Sequence, residues 1–226
     1  SSKNKTLMQW SYTNIADFYG HDGQIEKSYN YYLKALTLNP NDAYAKKGIA
    51  WIIYSYERNP EEALSILNTI TKTYNAPDYY LLKAELADYL NDETAKEEYL
   101  KQYNTAVQNK HYGTMYNAYN AKLFAETTTE QTKAITIAKQ EIKNRPTAQS
   151  YDLLAWAYYN NGNTKDALNI VEQHVEGKTF EPEVIYHIAE IYKANNKPEA
   201  VKRLKEELTE ATYELGPVME TKIQQL

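Results

Sequence analysis

The chain is 226 residues long with a formal charge of -5, 42% of it hydrophobic and 24% charged, and it contains 23 Tyr and no Cys. The absence of thiols excludes a disulfide, a thiolate nucleophile and a Cys-based metal site. Interspersed charges leave no basic face for a nucleic-acid backbone, and no stretch approaches the roughly 20 apolar residues of a membrane span.

The predicted elements come in helical pairs, in keeping with only 7 Gly and 7 Pro. A frayed polar lead-in, 1–6, precedes the first pair, 7–38, which turns at Gly20-His21-Asp22-Gly23. Asn39-Pro40 ends it, and Asp42 is placed to cap the next helix. The second pair, 43–73, turns at Arg58-Asn59-Pro60, with Pro60 opening its second helix. Asn75-Ala76-Pro77-Asp78 leads to the third pair, 79–111, which turns at Asn91-Asp92-Glu93. An irregular joint is expected at 112–116; the fourth pair, 114–144, turns at Thr127-Thr128-Thr129 and stops at Arg145-Pro146. In the fifth pair Tyr151, Leu154, Ala155 and Tyr158 form one apolar stripe, Asn160-Asn161-Gly162-Asn163 breaks it, and Thr164 can cap the second helix. Ala167, Ile170, Val171 and His174 share a face of that helix. The sixth pair, 182–215, is stopped by Gly216-Pro217, and 218–226 offers Val218, Met219, Ile223 and Leu226 as an amphipathic cap.

Small residues recur in one register through these pairs. Ala16, Ala50 and Ala84 are 34 apart, as are Ala121, Ala155 and Ala189, with a 37-residue step between the two sets. An aromatic follows three residues later at Phe124, Tyr158 and Tyr192. The second helices carry Ala63, Ala95, Ala134, Ala167 and Ala200, with Ser28 in the first pair. Small side chains at these positions let paired helices approach closely.

The pattern resembles the tetratricopeptide repeat, a 34-residue helix–turn–helix unit. The third repeat departs from it, with Lys83 and Ala87 where apolar and aromatic residues are usual. The resemblance implies an all-α, right-handed superhelical α-solenoid in one domain. About six repeats (9–42, 43–76, 77–113, 114–147, 148–181 and 182–215) would be closed by a capping helix at 217–226. It further implies that the first helices line a concave face. On that register the inner residues are Trp10, Asp17, Tyr44, Lys47, Trp51, Tyr54, Tyr119, Lys122, Asp152, Trp156, Tyr159, Tyr186 and Glu190. The string Ala-Trp-x-x-Tyr occurs twice there, at Ala50 and at Ala155.

These residues suggest an aromatic groove for an extended or helical peptide, since rigid Tyr and Trp give contact area at low entropic cost. The plainer reading is that the same rings pack between neighbouring helices. Chaperone-tail binders of this family use a basic carboxylate clamp; here those positions hold Thr13, Asp17, Gly48, Asp78 and Leu82, so that ligand is disfavoured. Self-assembly and stacking of a carbohydrate on the groove aromatics are the alternatives. No catalytic constellation is legible: His187 and Glu190 share a face without a second pair, and are expected as an exposed inner-face pair. His174 is expected to be packed. No metal or cofactor is expected, and the partner is a protein or peptide. A monomer is expected, with a homo-oligomer as the alternative. The Lys-, Asn- and Tyr-rich make-up and the absence of an initiator Met fit a bacterial extracytoplasmic protein as well as a cytoplasmic one.

Overall fold

The computed structural model describes residues 2–226, with side chains from Asn4 onward. Ser1 of the expected lead-in lies outside the described residues. The described residues form thirteen α-helices and no strand, and the first twelve are six helix–turn–helix hairpins. They group into two compact units, one running to Asn109 with Thr212–Met219 added, the other Lys110–Ala211 with Glu220–Leu226. Three repeats fall in each.

The first unit contains α1 (Ser2–His21), α2 (Ile25–Leu38), α3 (Ala43–Ser55), α4 (Pro60–Ile70), α5 (Pro77–Tyr89) and α6 (Glu93–Ala106). Helix α1 starts five residues before its expected beginning at 7, so residues 2–6 are helical. No Gly or Pro precedes Gly20, and once nucleated a helix extends at little cost per residue. The starts of α3, α4 and α6 are each capped by a side-chain oxygen, from Asp42, Asn59 and Asp92. Pro60 occupies the first turn of α4, where a missing N–H costs nothing. Ala16, Ala35, Ala50, Ala63 and Ala84 are buried where helices touch, and Tyr54, Ile52, Leu67 and Leu86 fill the spaces between. Burying one Leu side chain such as Leu67 stabilises the fold by about 2 kcal/mol.

Asp42 has two tasks. One carboxylate oxygen accepts the Ala45 N–H at 3.2 Å, and the other accepts from the Gln9 side chain at 2.6 Å, joining α1 to α3. Asp42→Ala is therefore expected to cost about 1–2 kcal/mol. A denaturation midpoint equal to the parent's would show that the cap is not used.

The weak third repeat is accommodated rather than repaired. Lys83 sits at an apolar position and is buried, donating to the Thr71 hydroxyl at 3.3 Å with its ammonium 4.3 Å from the centre of the Tyr99 ring. Burial lowers its pKa below the ordinary lysine value.

The second unit opens with an irregular stretch that includes a single 3₁₀ turn, Lys110–Tyr112, where the joint was expected. Its helices are α7 (Asn117–Glu126), α8 (Gln131–Asn144), α9 (Ala148–Asn160), α10 (Thr164–Ile170), α11 (Pro182–Ala194) and α12 (Pro198–Glu210). Thr164 is the first residue of α10 and not its cap; Asn163 holds the cap position without a side-chain bond. Helix α10 then widens into a π-helical turn, Val171–Val175, closed by the Glu176 N–H on the Val171 carbonyl at 2.9 Å. The widening buries both Val171 and Val175, and His174 stacks on Tyr151 with ring centres 4.0 Å apart.

Helix α13 (Thr212–Gln224) is interrupted at Gly216, which has φ 81° and ψ 169°. It begins upstream of the expected cap. Ile223 is buried in the second unit, and Lys193 and Lys205 donate to the Gln225 and Gln224 carbonyls. Val218 and Met219 belong to the first unit.

Candidate binding grooves

In the first unit most of the residues expected on the inner face form a connected set. Asp17 accepts hydrogen bonds from the Tyr32 and Tyr44 hydroxyls, the latter at 2.7 Å. Burial, then the bond to Asp17, pushes the Tyr44 phenol up to about 12. Lys47 pairs with Asp78 at 2.7 Å and lies over the Tyr79 ring. Trp51 is half-buried and meets Tyr54 edge-on. Tyr54 is fully buried and donates to Glu85 at 3.1 Å. Trp10 lies apart from this set in exposure, with 62% of its surface accessible.

Segment Thr212–Met219 lies against these residues. Trp51 Nε1 and Ser55 Oγ both donate to the Tyr213 carbonyl, at 3.2 and 2.8 Å. The Val218 backbone hydrogen-bonds the Tyr54 phenol. A Cβ on Gly216 would come within 2.8 Å of the Trp51 ring and 2.9 Å of a Glu85 oxygen. The Tyr213 ring packs beside Gly20, leaving a cavity of about 210 Å³ lined by Asp17, Tyr32, Tyr44, Trp51 and Tyr213 among others. Ser55, Tyr213 and Gly216 were not among the expected site residues. The last two lie beyond or at the end of the periodic part of the sequence, where the repeat register selects nothing.

In the second unit Tyr119 is exposed and Lys122 pairs with Glu183 at 2.6 Å. Trp156 is buried, stacked on His187 at 4.0 Å and on Tyr159 at 5.1 Å, with its N–H directed to Glu126. Glu190 accepts from both Tyr159 and Tyr186, at 2.9 and 3.4 Å. The Tyr159 phenol is pushed up to about 12, by burial first and then by Glu190. Tyr186 is itself buried. A cleft of about 480 Å³ is lined by Tyr119, Lys122, Arg145, Asp152 and Glu183 among others.

Asp152 and His187 form a buried pair, 2% and 3% exposed, with Nδ1 and Oδ2 2.9 Å apart. The expected exposed pairing of His187 with Glu190 is thus corrected: Trp156 covers the imidazole and Asp152 takes its nitrogen. The other Asp152 oxygen has no hydrogen-bond partner. Burial pushes the Asp152 carboxyl up, and the imidazole offsets this only in part. Burial alone would lower His187, but the Asp152 carboxylate and Glu183 outweigh it and raise it.

The two Ala-Trp-x-x-Tyr strings do the same local work. In each, the tyrosine donates to a glutamate 31 residues on, Tyr54 to Glu85 and Tyr159 to Glu190, bracing successive first helices. Among the described residues no group of three His, Asp or Glu is placed to hold a metal ion, and no helix is long and apolar enough to cross a membrane.

The tetratricopeptide repeat family model matches residues 11–42. No curated protein matches this sequence. Among solved structures the chain is similar in fold to PilF of Pseudomonas aeruginosa, at 12% identity over 98% of this chain and 99% of that one, with a TM-score of 0.52. A tetratricopeptide repeat protein from Parabacteroides merdae is 15% identical over 89% of this chain and 78% of its own, with a TM-score of 0.57. A chain of the APC/C hetero-tetramer Cut9–Hcn1 gives 17%, 96% and 0.57, and this sequence spans only 42% of it. At such identities the likeness is one of fold. The recurring alanines of the first helices are buried where the hairpins close, and the fold is that of tetratricopeptide-repeat proteins.

Proposed function

We propose that this chain is a non-catalytic interaction scaffold whose aromatic inner face binds an extended segment of a protein partner. One observation carries the reading. Trp51 and Ser55 bond the Tyr213 main-chain carbonyl, and Tyr54 meets the main chain again five residues on at Val218, so these side chains already hold a polypeptide backbone. Side chains that satisfy backbone groups give affinity for a chain in a defined path, and pockets beside them give selectivity. The Cut9–Hcn1 hetero-tetramer, of similar fold, contains a partner protein.

The test is a display selection of random peptides on the intact chain, followed by Tyr44→Ala and Tyr119→Ala. Both tyrosines are exposed, so neither change removes core packing. The expected result is a family of peptides whose binding falls at least about ten-fold, roughly 1.4 kcal/mol, in one of the two variants. A selection that returns no peptide, or peptides indifferent to both changes, would sink the reading.

A further inference from the structure

We propose that Thr212–Met219 is a tethered competitor for the first unit's groove, and that the partner which displaces it carries the same chemistry. That partner segment has an aromatic residue three positions before a Gly-Pro step. The inference rests on the peptide-binding reading above and names the occupant of one of its grooves.

Three features of the segment are those of a bound ligand. Its main chain is read at two points: the Tyr213 carbonyl accepts two side-chain donors, and the Val218 backbone meets the Tyr54 phenol. Its one aromatic ring enters a recess beside Gly20, where the absent side chain leaves room and a Cβ would already touch the ring at 3.4 Å. At Gly216 the backbone passes so close to Trp51 and Glu85 that no Cβ fits, and its φ of 81° is one that L side chains rarely adopt. Gly216 and Pro217 are both buried although they lie outside every repeat. Tyr, Gly and Pro at these three positions are therefore the selectivity elements of the groove.

The fit is incomplete, which makes the segment a competitor and not part of a closed core. A recess of about 210 Å³, half open to solvent, stands beside Tyr213. The Tyr213 side chain is itself only partly buried. The recess thus has room for more than the segment puts there. An occupant with a larger side chain after its aromatic residue would fill it. The walls offer Asp17 and the Tyr32, Tyr44 and Trp51 side chains to whatever enters. A tethered segment with an imperfect fit sets a threshold: a free peptide must exceed it in intrinsic affinity to overcome the tether's effective concentration.

The probe is a synthetic peptide of residues 212–219, measured by calorimetry against the full chain and against Gly216→Val. Valine at 216 cannot hold the resident conformation, so the groove is vacated while its own residues are unchanged. The expected result is binding to G216V at least ten-fold tighter than to the parent, abolished when the peptide itself carries Val for Gly. Equal binding to both chains overturns the competitor while leaving peptide recognition intact. No binding to a natively folded G216V overturns it as well, and the display selection then decides the wider reading separately. Should G216V not fold, Tyr213→Ala removes the ring anchor without touching the kink, and the same ten-fold gain is required. Hydrogen exchange on the unmodified chain needs no variant: the Gly216, Val218 and Met219 amides must exchange at least ten-fold faster than those in the middle of α3. Equal protection overturns the proposal.

Discussion

Asp152→Ala is expected to destabilise the second unit by about 3–5 kcal/mol, the usual cost of stranding one member of a buried charged pair. His187 would keep its stacking on Trp156 but lose the oxygen 2.9 Å from Nδ1, with almost none of its own surface exposed. Asp152→Asn keeps an oxygen in reach and should cost less. A paired apolar replacement, Asp152→Leu with His187→Met, should recover most of the loss, because it removes the charge together with its partner. Urea unfolding followed by circular dichroism measures all three. A loss below about 1 kcal/mol in Asp152→Ala would mean that the pair is not an ionic contact at all.

The same pair fixes a pH dependence. His187 is raised in the folded chain, so its contribution is complete below the unfolded value of about 6.5 and is lost as pH climbs through the folded value. Asp152 is raised too, which gives the same sign from about pH 4 upward. Glu183, paired with Lys122, is held below its ordinary value although burial alone would raise it, and works in the opposite direction. The difference between the parent and the apolar double variant isolates the pair. That difference should shift against the parent as pH rises past about 6.5. A flat difference would contradict the assignment.

Gly48→Ala is expected to destabilise the first unit, against what helix propensity says. Glycine inside a helix costs about 1 kcal/mol relative to alanine, so propensity alone predicts a gain. The Tyr32 ring decides the sign. A Cβ at Gly48 would stand 2.2 Å from its nearest carbon, and Tyr32 is held in place by its bond to Asp17 and by burial. The ring must leave or the helices must part, at about 1–3 kcal/mol or more for overpacking, and the net is a loss of about 1–2 kcal/mol. Combining Gly48→Ala with Tyr32→Leu makes room and should return much of it. A stabilised Gly48→Ala would show that Tyr32 is free to move. Thermal unfolding distinguishes the outcomes.

Much of the fold could be read from the sequence because the residues that touch between helices repeat with the helices. Ala16, Ala50 and Ala84, and again Ala121, Ala155 and Ala189, recur every 34 residues and are all buried. The site was legible in a different degree. Tyr54 with Glu85, Tyr159 with Glu190 and Lys47 with Asp78 are each 31 residues apart, so a one-repeat offset on neighbouring first helices carries that information. Asp152 with His187, at 35, follows the same logic once the apolar roof of Trp156 is known. Two things escaped. Gly48 looks like a weak point in a helix until the partner ring is seen. Gly216–Met219 lie past the sixth repeat, so periodicity is silent about where they go.

The three indoles occupy three unlike settings. Trp10 faces solvent, Trp51 donates to a carbonyl in one unit, and Trp156 is sandwiched with an imidazole in the other. Removing Trp10 would leave a single indole per unit, one on a carbonyl and the other on an imidazole. The chain therefore carries its own pair of optical reporters, and the melting of each half can be followed in one cuvette without a dye.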